Sequence, residues 1–317
     1  MAKISQQTKE IINIILFFLV IGLLVTFYWI YPLSLAKTGM GRNDLDKYNE
    51  MLDTLSELPN EAVLWQEAGL NPDTFRVEAD GLTTLACLRC MPEDSAIGTI
   101  FLLHNDNQNR DSILWLASAF VKNGYAVLTY DQRASGRSSG LNRGAGQFES
   151  SDLNELISNI DLRYRIQHPL IAVGFGTGAD AVILSSQSES RLDAIVAIEP
   201  YLSSTRLLDK LKEQHDMLWF PFFRPVVWWW YEMRSSYAVE YTDISDIDPV
   251  GATALVFVSP EDFDDEEVRQ LETVSRNSGK LRLQTTPAAN SSLETTILDF
   301  VKNLSVDSDS LISTSEN

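Results

Sequence analysis

A glycine-rich turn at residues 174–178, with the sequence GFGTG, has the surroundings of a catalytic nucleophile but lacks the nucleophile. The apolar run Leu170–Val173 leads into this turn, and a helical pattern begins at Ala179. In the motif G-x-S-x-G, a serine on such a strained strand-to-helix turn attacks carbonyl carbon atoms. The central position here is Gly176, which carries no attacking atom. The turn therefore predicts the geometry of a nucleophile site without its chemistry.

The elements that must position this turn alternate between strands and helices from residue 75 onward. Apolar runs predict strands at Phe75–Ala79, Leu85–Met91, Thr99–His104, Ala126–Tyr130, Ile171–Val173, Ile195–Ile198, Ala254–Val258 and Leu281–Gln284. Helical spacing predicts helices at Ser112–Asn123, Leu153–Ile160, Asp180–Gln187, Glu266–Ser275 and Leu293–Asn303. This alternation is typical of a mostly parallel sheet with helices on both faces.

Four local matches, in order along the chain, carry a resemblance to a known family. They are the strand end LLHN at 102–105, the run GYAVLTYDQRASGRSSG at 124–140, the turn at 174–178, and the segment 243–262 that ends in an acidic turn. On these residues, the sequence resembles the α/β-hydrolase superfamily over residues 75–304. It is most similar to membrane-anchored serine hydrolases with a small cap. The resemblance implies a mostly parallel α/β-hydrolase sheet and a small aromatic-rich cap at about residues 201–248.

The resemblance also assigns three catalytic positions, and two of them hold residues without the required chemistry. The nucleophile position is Gly176, the acid position is Asp262, and the histidine position is nearest to Asn290. The sequence has no histidine after His215, and an asparagine amide cannot act as a general base near neutral pH. Thr177 carries a hydroxyl beside the nucleophile position, where helix capping or packing is the more ordinary role.

The implied oxyanion hole is altered as well. Its donors would be the backbone N–H of Thr177 and one from around Asn105 and Asp106. The Asp106 carboxylate places negative charge beside the developing oxyanion, which disfavours acyl transfer. His104 resembles the structural histidine of the family. The sequence therefore predicts that His104, Asn105 and Thr177 line an oxyanion-hole-like ligand pocket, because glycines allow close approach to the backbone.

The cap segment contains the aromatic run MLWFPFFRPVVWWWY at 217–231. Its rings either pack the cap on the core, line an apolar pocket above the turn, or contact a membrane or a partner protein. Contiguous tryptophans cannot all face one side of a helix, so some of them are expected at the surface. The residues predicted to line a cap pocket are Trp219, Phe222, Trp228 and Trp229.

Residues 11–31 are uncharged and predict one transmembrane helix after a short tail at 1–10. At about 1.5 Å per residue the run spans roughly the 30 Å of a hydrocarbon core. A cleaved signal peptide ending at the small residues 34–36 is the alternative, although its apolar region would be unusually long. Lys3 and Lys9 in the leading tail favour an extracytoplasmic folded domain. Residues 32–74 predict a stalk or leading helix.

Composition excludes some function classes and leaves others open. The 317 residues carry a net charge of −19, without the basic stripe that a nucleic-acid-binding protein needs. Cys87 and Cys90 are predicted to be free thiols, because successive odd and even strand positions point to opposite faces and too few further ligands are present for zinc. No cofactor and no metal are expected. The polar tail at 305–317 predicts disorder.

Together these features predict a membrane-anchored hydrolase-fold protein that has lost its catalytic machinery and acts in binding, scaffolding or regulation. The expected partners are the lipid bilayer, through residues 11–31, and an apolar small ligand or a membrane protein. One alternative is an active esterase or lipase that acts on an apolar acyl substrate through a non-standard nucleophile. Another is a structural subunit of a membrane complex.

Overall fold

The computed structural model describes residues 6–30, 63–106, 108–140, 142–203, 206, 225–227, 229, 233, 252–259 and 265–314. Several predicted regions lie outside the described residues. They are residues 32–62 of the stalk predicted at 32–74, the acid position Asp262, and most of the cap. Three of the four aromatic residues predicted to line a cap pocket, Trp219, Phe222 and Trp228, also lie outside the described residues. The domain boundaries derived from the sequence therefore stay predictions.

The described elements follow the predicted alternation closely. The helices are α1 Gln6–Val25, α2 Val63–Glu67, α3 Leu114–Lys122, α4 Gln147–Tyr164, α5 Thr177–Ser188, α6 Asp265–Ser278 and α7 Asn290–Thr314. A π-helical turn, Thr26–Ile30, continues α1, and a 3₁₀ turn, Arg110–Ile113, precedes α3. The strands are β1 Asp73–Glu78, β2 Thr84–Cys90, β3 Thr99–Leu103, β4 Ala126–Tyr130, β5 Leu170–Phe175, β6 Ala194–Ile198, β7 Thr253–Val258 and β8 Leu281–Thr285.

The strands form one sheet with the order β1-β2-β4-β3-β5-β6-β7-β8. β2 pairs antiparallel with both β1 and β4, and the pairs from β4 through β8 are parallel. Strands β3, β4 and β6 are buried at every residue, as expected for parallel strands that are covered on both faces. The predicted α/β sheet is confirmed.

Each face of the sheet has its own apolar core. On one face, side chains of α4, α5 and α6 pack against the sheet, among them Leu153, Val182 and Leu271. On the other face, side chains of α2, α3 and α7 do so, among them Phe120 and Ile297. The two layers hold the carboxyl ends of the parallel strands at one edge, where the turn after β5 lies.

The carboxyl-terminal helix is longer than the sequence suggested. Helix α7 continues through Thr314, whereas the polar composition of residues 305–317 predicted a disordered tail. Once the buried half of a helix has formed, each added residue gains a backbone hydrogen bond at little nucleation cost. Leu304, Leu311 and Ile312 also recur at helical spacing, a signal that composition alone hides.

One N-terminal helix is long and apolar enough to cross a membrane. The span Lys9–Trp29 has 21 residues and a mean hydropathy of 2.7, and none of it is buried inside the protein. Its length suits the roughly 30 Å of a hydrocarbon core. A signal sequence near the N-terminus can also be this long and apolar, so the span by itself does not fix the topology.

Candidate functional site

The turn after β5, called the elbow here (residues 174–178), has the backbone of a nucleophile site. Gly176 lies between β5 and α5 with φ +52° and ψ −116°, a conformation that strains any residue with a Cβ. Its N–H donates to the Ile198 carbonyl oxygen at 2.9 Å, which ties the turn to β6. Its carbonyl oxygen accepts the N–H groups of Ala179 and Asp180 and thereby starts α5.

The flanking glycines allow the elbow to pack tightly. A Cβ on Gly174 would overlap the backbone of Gly178, and a Cβ on Gly178 would lie 2.6 Å from the carbonyl oxygen of His104. These positions bring β5, α5 and the end of β3 into direct backbone contact. The glycine pattern at 174 and 178 therefore follows from packing, independently of any chemistry at Gly176.

The side chain of Asn105 fills the space that a nucleophile would need. Its Oδ1 accepts the N–H of Asp106 at 2.7 Å and the N–H of Thr177 at 3.3 Å. A Cβ on Gly176 would overlap the same carboxamide. The two donors lie at the positions where the sequence places the oxyanion hole. The chain thus holds its own amide oxygen at the position that the resemblance assigns to the oxyanion.

The negative charge of Asp106 is compensated in the fold. Its carboxylate forms an ion pair with Arg143, and both side chains are at least nine-tenths buried. The sequence indicates only a negative charge at this point, because nothing in the spacing of residues 106 and 143 indicates their contact. Arg143 lies in the loop before α4, and this ion pair fastens that loop to the elbow edge of the sheet.

His104 is buried and has a structural environment. Its Nδ1 donates to the Asn105 carbonyl oxygen at 2.7 Å, and its Nε2 accepts the Gln132 N–H at 2.9 Å. Burial lowers the pKa of His104, so the imidazole is neutral. With both ring nitrogens engaged, this side chain joins the turn after β3 to the turn after β4.

The turn after β4, called the Asp131 turn here (residues 131–140), is built around one buried carboxylate. Asp131 accepts the N–H groups of Arg110 and Arg137, each at 2.9 Å. The Arg110 guanidinium lies 3.7 Å from the same carboxylate, and both side chains are almost completely buried. A Cβ on Gly136 would collide with this carboxylate. Hydrogen bonding and packing therefore explain the aspartate and the glycine of the motif D-x-R-x-x-G.

The serines of the Asp131 turn hold the neighbouring strand. The Ser138 hydroxyl oxygen accepts the Ala86 N–H at 2.9 Å, and the Ser139 hydroxyl oxygen accepts the Thr84 N–H at 2.7 Å. Both donors belong to β2. Ser138 also donates to the Asp131 carbonyl oxygen. These hydroxyls act in loop hydrogen bonding.

Asp180, one turn into α5, anchors the chain that leaves β6. Its carboxylate accepts the Leu202 N–H at 2.9 Å and the Tyr201 N–H at 3.3 Å. Burial raises the pKa of Asp180 to about 7, because desolvation outweighs these hydrogen bonds. Arg206 donates to the Tyr201 carbonyl oxygen and pairs with Glu267 of α6. This chain of contacts links the elbow helix to the start of the cap segment.

The structure does not bring the other predicted site residues to the elbow. Asn290 is the exposed first residue of α7. Trp229 is 44% exposed, and its ring stacks edge-on against Trp29 at 5.5 Å between centroids. The prediction of a ligand pocket that includes Trp229 stays a prediction, and so does the assignment of His104, Asn105 and Thr177 to a ligand pocket.

A histidine–aspartate pair does exist, but at the opposite edge of the sheet. His168 Nδ1 lies 2.6 Å from Asp193 Oδ2, and both side chains are exposed. They precede β5 and β6, so they lie at the amino ends of these strands, whereas the elbow follows β5. Asp193 also accepts the Leu170 N–H at 2.6 Å. The pair therefore cannot serve a nucleophile at the elbow.

The two cysteines are buried free thiols in β2. Burial raises the pKa of Cys87 and raises that of Cys90 to about 12, so both are protonated and unreactive. Among the described residues, no group of three or more potential metal ligands converges.

The strand order, the glycine elbow after β5 and the histidine turn after β3 define a protein of the α/β-hydrolase fold. The sequence pattern of the family described as serine aminopeptidase, S33, matches residues 94–255. The chain belongs to this family, and it is an α/β-hydrolase of the esterase and peptidase kind. A comparison with curated proteins finds no match.

Solved structures with the same fold include esterases and a peptidase. An esterase from Pyrococcus furiosus, Pf2001, aligns with a TM-score of 0.61 and 16% identity over 75% of this chain and 93% of that chain. Proline iminopeptidase from Mycobacterium smegmatis aligns with a TM-score of 0.55 and 12% identity, over 74% of this chain and 100% of its own. The esterase EaEST from Exiguobacterium antarcticum aligns with a TM-score of 0.53 and 14% identity, over 73% of this chain and 100% of its own. At these identities, the likeness concerns the fold.

Proposed function

We propose that this chain is a membrane-anchored protein of the α/β-hydrolase fold that has no acyl-transfer activity at its elbow and acts by binding a ligand or a protein. The observation that carries the proposal is the position of Asn105. Its carboxamide takes both oxyanion donors and occupies the space beside Gly176 that a nucleophile would need. A site in which the donors are already satisfied offers no stabilisation to a developing oxyanion.

The empty histidine position supports the same proposal. The sequence has no histidine after residue 215, and the nearest positional match, Asn290, is exposed at the start of α7. His104 is neutral and has both nitrogens engaged. No described histidine at the elbow edge is therefore free to take a proton from a nucleophile, and a general base normally contributes about 10²- to 10⁴-fold to the rate.

Membrane anchoring is the second part of the proposal. The exposed apolar span Lys9–Trp29 is the supporting feature, and Tyr28 and Trp29 lie at its end, where amphipathic rings favour the membrane interface. The lysines at positions 3 and 9 favour a cytoplasmic tail and an extracytoplasmic folded domain.

Activity is tested on the full-length chain, purified in detergent from the membrane fraction. We expect no turnover of short-chain p-nitrophenyl esters and no labelling by a fluorophosphonate. Stoichiometric labelling would contradict the proposal, and mass analysis of the labelled peptide would name the nucleophile. The intact mass of the same preparation tests the anchor, because a signal peptide would be missing from the mature chain.

An active esterase is the second candidate, favoured by the family and by the esterases among the structural neighbours. Its nucleophile would have to be non-standard, and Thr177 has the only hydroxyl in the elbow. If esters are hydrolysed, Thr177→Ala should abolish turnover. Retained turnover in that variant would move the search for the nucleophile away from the elbow.

A structural subunit is the third candidate, favoured by the contact between Trp229 of the cap and Trp29 of the anchor. If residues 11–31 span the membrane, such a contact supports a position of the cap aromatics near the membrane surface, where they can meet a second membrane protein. This candidate requires a complex that survives mild detergent and is lost when residues 228–230 are replaced by polar residues. A complex that persists after this replacement would exclude docking through these rings.

A further inference from the structure

A cleft lies at the edge of the sheet opposite the elbow. It opens between the amino ends of β3 and β4, the end of β2 and the last turn of α4, and its volume is about 300 Å³. The side chains that characterise its lining are Arg89, Met91, Leu128, Ile160, Tyr164 and Arg165. Two guanidinium groups thus stand beside an aromatic ring and aliphatic groups. Binding sites of this kind combine a mostly apolar wall with a few polar anchors.

Arg89 is held in place before any ligand arrives. Its guanidinium lies 4.2 Å from the centroid of the Tyr164 ring. It also lies 3.5 Å from the Asp73 carboxylate, which is 67% exposed. The stacking restricts the long side chain, so a ligand need not order it again. Because Asp73 is solvated, its ion pair with Arg89 is weak and leaves the guanidinium available.

Arg165 contributes the second guanidinium from a strained backbone position. It caps α4 with φ +53° and ψ 103°, where glycine or asparagine is the usual residue. Its side chain is exposed and has no hydrogen bond or ion pair within the part of the chain that the structure describes. The dipole of α4 favours a cation here. The dipole explains a cation at this position, but it does not explain why a residue with a Cβ occupies a positive φ. Backbone strain of this kind is often retained at functional sites.

The charges around the cleft indicate the kind of anion. Arg89 and Arg165 are the charged residues of the lining, and both are positive, whereas Asp73, the partner of Arg89, lies outside the lining. This positive lining contrasts with the net charge of −19 of the whole chain. Guanidinium groups bind the two oxygens of a carboxylate side by side, which adds geometric selectivity.

We propose that this cleft binds a small carboxylate with an apolar body. Arg89 and Arg165 hold the carboxylate, and Tyr164 and Met91, whose side chains are exposed, contact the apolar body. The site is separate from the elbow and does not depend on the function proposed there.

The test uses the full-length chain in lipid nanodiscs and isothermal titration with 2-naphthoate, with empty nanodiscs correcting for partition into lipid. We expect binding of 2-naphthoate and at least about tenfold weaker binding of the neutral 2-naphthamide, since a charge-assisted pair is lost. Tighter binding of 2-naphthyl phosphate than of 2-naphthoate would overturn the assignment to a carboxylate. Absence of 2-naphthoate binding at millimolar concentration would overturn the site.

Two variants and a matched control locate the binding. Arg89→Gln and Arg165→Gly should each weaken 2-naphthoate binding at least about tenfold. Arg163→Gln changes an exposed arginine of α4 outside the cleft lining and should leave the affinity unchanged. If Arg89→Gln and Arg165→Gly bind 2-naphthoate as tightly as the parent, or no more weakly than Arg163→Gln, the proposal is contradicted.

Thermal unfolding separates a binding role from a structural one. Arg165→Gly removes the strain of a positive φ, so its Tm should not fall below that of the parent. Lost affinity with an undiminished Tm supports the binding role. A lower Tm with unchanged affinity would assign Arg165 to the stability of α4. If Arg89→Gln does not fold, Arg89→Lys keeps the charge without the bidentate fork and should still lose affinity.

Discussion

The elbow and the Asp131 turn are two polar turns at the same edge of one sheet, and they differ in the side chain that occupies the centre of the turn. The Asp131 turn keeps a buried carboxylate that serves two backbone N–H groups and lies beside a buried guanidinium. The elbow keeps its backbone and its glycines, but the side chain at its centre is missing and Asn105 satisfies its donors. Residues that satisfy buried backbone groups are required by the fold, whereas a nucleophile is required only by a reaction. The Asp131 turn thus depends on the side chain at its centre, whereas the elbow folds with no side chain at its central position.

The largest expected effect is the loss of the Asp131 carboxylate. Asp131→Ala leaves the buried Arg110 guanidinium without this partner and removes the acceptor for two N–H groups. We expect the free energy of unfolding in urea to fall by about 3–5 kcal/mol. A loss below 1 kcal/mol would mean that the turn does not depend on its carboxylate, and the contrast with the elbow would disappear.

The second test places a side chain at the elbow. Gly176→Ala combines a strained backbone with overlap of the Asn105 carboxamide, so a loss of about 2–4 kcal/mol in unfolding free energy is expected. Gly279→Ala is the matched control, because Gly279 also has a positive φ, of +65°, but an open surrounding. It should cost only about 1 kcal/mol.

A double-mutant cycle isolates the overlap. If Asn105 blocks residue 176, Asn105→Gly should reduce the cost of Gly176→Ala by about 1–3 kcal/mol. Additive effects of the two substitutions would show that the carboxamide moves aside without cost. The space beside Gly176 would then be available to a ligand.

The third test concerns Asp180, which, like Asp131, is buried and accepts two backbone N–H groups. Asp180 has a pKa raised by burial to about 7, so the folded protein binds more protons than the unfolded chain between about pH 4 and 7. Its contribution therefore lowers the stability as the pH rises through this window. Relative to the parent, Asp180→Asn should gain on the order of 1–3 kcal/mol in unfolding free energy between pH 4.5 and 7.5. A difference between Asp180→Asn and the parent that does not change with pH would contradict this contribution.

The smallest expected effect concerns the serine hydroxyls of the Asp131 turn. Ser138→Ala leaves the buried Ala86 N–H without its acceptor, so a loss of about 1–2 kcal/mol is expected. The hydroxyl of Ser135, which is also buried, makes no hydrogen bond among the described residues, and Ser135→Ala should cost less than about 0.5 kcal/mol. Similar losses in both variants would show that the turn depends on packing more than on this hydrogen bond.

The fold was largely predictable because its signals are local. Buried parallel strands read as short apolar runs, and the predicted strands at 126–130 and 254–258 differ from the observed ones by at most one residue. The elbow was predictable from its glycines, which the close packing of β5 and α5 requires. Burial of His104 also agrees with the structural role that its motif implied.

The filling of the elbow was not predictable, because it depends on contacts between residues far apart in sequence. Asn105 and Thr177 are 72 residues apart, and only the parallel pairing of β3 with β5 brings them together. The ion pair of Asp106 with Arg143 has the same character, since neither position has a sequence pattern that points to the other. Long-range polar contacts of this kind leave no periodicity to read.

The Asn105 amide has one further consequence when it is regarded as a tethered competitor. An oxygen held on the chain beside its donors has an effective concentration of about millimolar or more. A free carbonyl compound that binds these two N–H groups weakly therefore competes poorly with it. A carbonyl ligand that binds these donors must displace the Asn105 oxygen. The apparent affinity of the ligand is therefore reduced to its intrinsic affinity multiplied by the fraction of molecules in which the Asn105 side chain has left the donors. On the function proposed above, this competition by the Asn105 oxygen would be one physical reason why the elbow has no acyl-transfer activity.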